Sequence, residues 1–158
     1  MKQNNLLKLI GAIIGCQLAG LVGSIFTAPA INTWYSQINK PSFNPPNWIF
    51  APVWTILFLL MGISFYLVWN KGLEDNKAKT AVLIFKVQLG LNILWSMLFF
   101  GLRQPLLAFI EIIILWGFIL MTIIRFYKIS RVAAYLLLPY LLWVGFASFL
   151  NYSILILN

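Results

Sequence analysis

The side chains able to do chemistry in this 158-residue chain are few, and most of them are aromatic. There is no histidine, so the commonest metal ligand and the commonest acid–base group near neutral pH are missing. The single cysteine, Cys16, lies in an apolar run and has no partner for an internal disulfide. No hydrolytic triad, metal-ligand cluster or carboxylate pair can be assembled, which argues against ordinary acid–base, hydrolytic or metal catalysis. What remains is a set of rings and amides at helical spacing. Gln88, Asn92, Trp95 and Phe99 make one stripe, Trp54, Phe58, Met61 and Phe65 a second, and Tyr140, Trp143, Ala147 and Asn151 a third. Bulky rings on facing helices pack less closely than small residues, and the space between them suits an apolar ligand. Asn92 and Asn151 need hydrogen-bond partners in an apolar setting, so both are expected to point inward. Glu111 is the one acid inside a long apolar run, with Arg103 or a helix–helix hydrogen bond as its expected partner.

The elements that must position these residues follow from composition. The chain is 62% hydrophobic and 9% charged, with a mean hydropathy of +0.93. A soluble domain carries about 25% charged residues, so there is too little polar surface here to cover a globule in water. The apolar runs have the length of bilayer-spanning helices, and the short alternating segments of a membrane β-barrel are absent. These features predict an all-α membrane protein, a single five-transmembrane-helix bundle over 1–158. Its spans are 6–28, 49–69, 80–101, 105–127 and 132–155, with a long connection at 29–48. The N-terminal run continues through Phe26, too long for the core of a cleaved signal peptide. Gly11, Gly15, Ala19 and Gly23 form a small-residue ridge on the first span, fit for close packing within the bundle or against a second copy.

Basic residues collect at the ends of the spans. Lys2, Lys8, Lys71, Lys77, Lys79, Arg125, Lys128 and Arg131 fall on one side, Lys40 and Arg103 on the other, and Lys86 within the third span. The positive-inside rule then puts the N-terminus in the cytoplasm and the C-terminus outside. The net charge of +8 is thereby a topology signal, and no basic stripe for nucleic acid remains.

The long connection runs into KPSFNPPNWIFAPVW, from Lys40 to Trp54, with prolines at 41, 45, 46 and 52. A plain tether would be rich in Gly, Ser and charge. Prolines lower the entropy of the free segment, so less is lost when it covers a ligand, and the stretch reads as a lid over the three stripes. Trp34 and Trp48 suit anchoring at the membrane interface.

These residues carry a resemblance. WYSQINKPSFNPPNWIFAPVWTILFLLMGISFYLVW, QLGLNILWSMLFFGLRQP and LLLPYLLWVGFASFLN resemble, in order and over nearly the whole chain, the translocator protein family. That family is also called TspO, tryptophan-rich sensory protein or peripheral-type benzodiazepine receptor. The resemblance implies a five-helix bundle, often a homodimer, that binds tetrapyrroles such as protoporphyrin IX, with no other cofactor. It implies that isoquinoline carboxamide and benzodiazepine ligands bind beneath the first loop. Carried over by motif, its ligand-binding residues are Tyr35, Pro46, Trp54, Phe58, Asn92, Trp95, Phe99, Trp143, Phe146 and Ala147. The resemblance also implies a second function, light- and oxygen-dependent porphyrin degradation, in which Trp54 and Trp143 would be the catalytic residues. In animal members the resemblance also implies cholesterol binding by a segment that follows the fifth span and ends in a basic residue, and this sequence has no Lys or Arg after Arg131. The chain looks more like a bacterial member, and the expected location is the cytoplasmic membrane.

Overall fold

The computed structural model describes residues 3–158, and Lys2 of the charge count lies outside them. The described residues form helices α1 (Gln3–Ile31), α2 (Trp34–Gln37), α3 (Asn47–Trp69), α4 (Asn76–Ser96), α5 (Pro105–Tyr127), α6 (Arg131–Leu136) and α7 (Leu138–Leu157). α4 runs on through a π-helical turn, Met97–Gly101, and α6 and α7 together make one span. Five helical units are thus long and apolar enough to cross a bilayer, and the chain is an integral membrane protein.

The ends of these helices differ from the sequence expectation for identifiable reasons. α4 starts at Asn76 because Asp75 caps it, its carboxylate accepting from the Lys77 N–H at 3.3 Å. α1 continues past Pro29 to Ile31, with Thr33 closing its last turn: Oγ1 donates to the Pro29 carbonyl at 2.8 Å and N–H to that of Ala30 at 3.3 Å. The expected loop at 29–48 therefore shrinks. Its first residues belong to α1, its last to α3, and α2 sits between. The break between α6 and α7 falls at Leu137, two residues before Pro139, which has no N–H for the helical ladder.

α1 packs on α3 and α4, α5 on α4 and α7, and α6 closes against α3 and α5. The buried side of α1 is Ala12, Cys16, Ala19 and Gly23. Within the bundle only the Ala19 and Gly23 part of the ridge is buried: Gly11 and Gly15 are exposed and face nothing within 4 Å, whereas Gly20 and Gly62 mark the close approach of α1 to α3. A Cβ on Gly62 would stand 2.7 Å from the Ile13 Cα.

The two ends of the bundle are filled differently. At the end carrying most of the basic residues, Phe65 stacks on Phe85 (5.1 Å between ring centroids, 18° between planes) and Phe85 on Phe126 (5.7 Å, 14°). The Ser64 hydroxyl ties α3 to α6 by donating to the Ala133 carbonyl at 2.7 Å. The opposite, loop-bearing end is where packing gives way to space.

Candidate functional site

A polar layer divides the two ends. Tyr140 on α7, 1% exposed, donates its hydroxyl to Gln88 Oε1 at 2.8 Å and accepts from Asn92 Nδ2 at 2.9 Å. Gln88 Nε2 reaches the Met61 sulfur at 3.9 Å. Uncharged amides in a membrane bundle need partners, and here they partner one another. The layer ties α4 to α7 and forms a floor.

Above that floor lies a cavity of about 360 Å³, within the range of small-molecule sites. Trp54 and Phe58 come from α3, Asn92, Trp95 and Phe99 from α4 and its π turn, and Trp143, Ala147 and Asn151 from α7. The Trp95 and Phe99 rings lie almost parallel, 5.1 Å apart at 16°, and Phe100 stands edge-on to both. The π turn crowds three rings into this short stretch, because its wider winding changes the direction in which Phe99 and Phe100 leave the helix. Trp95 is fixed by a further bond: its indole N–H donates to Asn151 Oδ1 at 3.1 Å, while Asn151 Nδ2 donates to the Pro105 carbonyl at 2.9 Å. No charged side chain lines the cavity among the described residues.

Tyr35 closes the cavity at the loop end. It is 2% exposed, its ring meets Phe99 and Phe100, and its hydroxyl donates to Asn44 Oδ1 at 2.7 Å. Burial pushes that hydroxyl up to about 12, against the opposing effect of the Asn44 hydrogen bond. The Lys40 ammonium sits 5.0 Å from the Tyr35 ring centroid and donates to the Tyr35 and Ile38 carbonyls at 2.7 and 3.1 Å.

Eight of the ten residues expected at a ligand site share this cavity, and two do not. Pro46 is exposed and serves as the N-terminal cap residue of α3. Phe146 lies outside the lining, between Phe43 (6.4 Å) and Trp143 (5.5 Å), where it props the loop. Met61, Phe65, Gln88 and Tyr140 from the three stripes fall in or below the floor, because a stripe runs the length of a helix and the cavity occupies only one end. Trp48 is 72% exposed at the loop end, whereas Trp34 packs edge-on against Phe99 at 5.6 Å. Glu111 is 6% exposed and neither carboxylate oxygen has a hydrogen-bond partner among the described residues, so the expected bond to Arg103 is not made. The wall that sequence reasoning missed is α1, which contributes Gln17, Gly20, Leu21, Gly23, Ser24, Thr27, Ala28 and Ile31. Apart from Leu21 and Ile31 these are small or plain polar residues, and only the 3-to-4 spacing of Gly20, Gly23 and Thr27 hinted at a common face.

Fold and site together define a five-span membrane protein with an aromatic-walled, uncharged cavity beneath a bonded loop. Comparison with known proteins gives that class a family. Residues 12–157 match the TspO/MBR family. The chain is 47% identical over 155 residues to tryptophan-rich protein TspO of Archaeoglobus fulgidus, covering 98% of this chain and 99% of that one. It is 46% identical to the Chlorobaculum tepidum protein of the same name, covering 90% of each. It is 37% identical to the translocator protein of Homo sapiens, covering 92% of this chain and 86% of the other. The chain belongs to the TspO/MBR family.

Proposed function

We propose that the protein binds a flat tetrapyrrole of the protoporphyrin IX type in this cavity, as a carrier or sensor. The observation that carries the reading is a cavity walled by the Trp54, Trp95, Phe99 and Trp143 rings and free of charged side chains. Ring faces stack on a macrocycle, and such pairs contribute about 0.5–1.5 kcal/mol each beyond the area they bury. The family resemblance supports the same ligand class, and synthetic isoquinoline carboxamides or benzodiazepines would compete for the same space. A homodimer, the bacterial cytoplasmic membrane and a cytoplasmic N-terminus complete the proposal.

With no histidine to ligate a metal, metal-free protoporphyrin should bind at least as tightly as haem. Titration in detergent, read by quenching of tryptophan fluorescence, tests this. Saturable quenching is expected, and a haem complex far tighter than the metal-free one would overturn stacking as the main source of affinity.

A second reading has its own observation: the Trp54 and Trp143 indoles both form part of the cavity wall, next to where a photosensitiser would lie. In that reading they carry an electron or radical during light- and oxygen-dependent porphyrin degradation. Trp143→Phe separates the two. As a wall residue, its loss weakens binding by about 0.5–1.5 kcal/mol, and illuminated turnover falls only with occupancy. As a redox residue, its loss abolishes turnover at saturating ligand while binding persists. A dark control isolates the light-driven step.

A further inference from the structure

The route into the cavity is legible in which of its walls are exposed. The loop end is bonded shut. The Asn39 N–H donates to Asn158 Oδ1 at 2.9 Å, Asn158 Nδ2 donates to the Asn39 carbonyl at 2.9 Å, and Asn39 Nδ2 donates to the Leu157 carbonyl at 3.2 Å. Phe43 stacks on Phe149 of α7 at 5.3 Å and 18°. The loop is thus tied to α7 at two places besides its internal Tyr35–Asn44 bond.

The flank between α1 and α3 is different. There the cavity-lining residues Leu21, Ser24 and Ala28 of α1 and Ala51 and Thr55 of α3 are exposed, Leu21 by 61%. The two helices meet at the deep end of this gap, where Gln17 Nε2 donates to the Thr55 carbonyl at 2.9 Å and Gly20 abuts the Phe58 ring. From Leu21 to Ala28 the slot runs about 10 Å along α1 at the helical rise per residue. Its hydroxyls are turned back on their own helices: Ser24 donates to the Leu21 carbonyl at 2.6 Å and Thr55 to that of Ala51 at 2.8 Å. Below Asn47, which lines the loop end of the slot, the rim consequently offers hydrocarbon, with the Ser24 and Thr55 hydroxyl hydrogens already used. In a five-span membrane protein this flank faces acyl chains.

We propose that the slot between α1 and α3 is the ligand portal, and that it loads an amphiphile dissolved in the lipid leaflet on the loop side without opening the loop. The inference rests on the reading of the cavity as a ring-ligand site and goes beyond it by naming the source and the path. An uncharged cavity with an apolar side door takes the ring of such a ligand inward and leaves any carboxylate at the headgroup level.

The test is kinetic. Protein in phosphatidylcholine vesicles is mixed with vesicles preloaded with protoporphyrin IX, and loading is followed by tryptophan quenching. The N39C/N158C variant, oxidised to a disulfide, holds the loop shut with residues outside the cavity. Loading at the rate of the reduced form is expected. A fall of about tenfold or more on oxidation, reversed by reductant, would show that the loop is the gate and overturn the portal. Ala51→Trp places a bulky ring on the rim. Loading and release slowed together, by about tenfold, are expected of a narrowed portal. Unchanged rates, or faster release alone, would overturn it. Absence of saturable binding in the unmodified protein is a separate outcome: it overturns the proposed function, and the portal with it.

Discussion

Asn151 is 1% exposed, yet it sets the orientation of a ring on another helix. Its two amide atoms are both used, one accepting from Trp95 and one donating to the start of α5 at Pro105. Asn151→Ala removes both bonds and leaves an indole N–H and a carbonyl unpaired. A loss of about 1–2 kcal/mol of unfolding stability is expected, nearer the lower end of the cost of an orphaned group because membrane reference states find other partners. Thermal unfolding in detergent measures it, and a weakened ligand affinity should accompany it as Trp95 loses its fixed tilt. Glu111 is the opposite case. Its oxygens are inaccessible and have no hydrogen-bond partner among the described residues, so no bond is lost when the group is removed. Glu111→Leu keeps an apolar body of similar size and relieves the burial of a polar group, and stability should stay level or rise. A loss above about 2 kcal/mol in the same assay would show that the carboxyl is bonded in the working protein.

At the scale of the helices, α1 approaches α3 closely, and glycine permits it. A methyl at Gly62 would meet Ile13 backbone, which no side-chain rotation can relieve. Gly62→Ala should force the two helices apart and destabilise by about 1–3 kcal/mol, the usual range for overpacking. Gly15 has nothing within 4 Å, so Gly15→Ala gains helix propensity, about 0.8–1 kcal/mol in favour of alanine, without a clash. The pair of variants, compared by thermal unfolding, should move in opposite directions. A destabilised and dissociated Gly15→Ala protein would mean that a second copy packs on the outer face of α1. The same helix pair frames the slot, so the glycines that seat the deep end of α1 on α3 also fix where the two diverge.

On the scale of the whole molecule, charge and packing divide the bundle the same way. The end with most of the basic residues is filled by the Phe65–Phe85–Phe126 stack, and the end with only Lys40 and Arg103 holds the cavity. If the basic end is cytoplasmic, a reporter active only in the cytoplasm should work when fused before Met1 and fail when fused after Asn158. Activity at the second fusion would refute the orientation and place the cavity in the inner leaflet.

The sequence by itself determined the class, the five spans and most of the rings in the cavity wall. Long apolar runs and a scarcity of charge leave few alternatives to a helical bundle. Rings recurring every three or four residues must share a face, which is why Trp54, Phe58, Asn92, Trp95, Phe99, Trp143 and Ala147 could be grouped before any contact was known. Only the tertiary structure decided how far along those stripes the cavity extends, because periodicity assigns a face and says nothing of depth. It also assigned α1 to the wall, since small residues leave no signature distinguishing a lining position from a packing one. It removed Pro46 and Phe146 from the wall, as a motif carries residue identity but not the direction of a side chain. The state of the loop belongs to the same group. Proline content suggested a lid, but a lid and a bonded roof differ only in contacts such as Asn39 to Asn158, made between residues 119 apart in the chain.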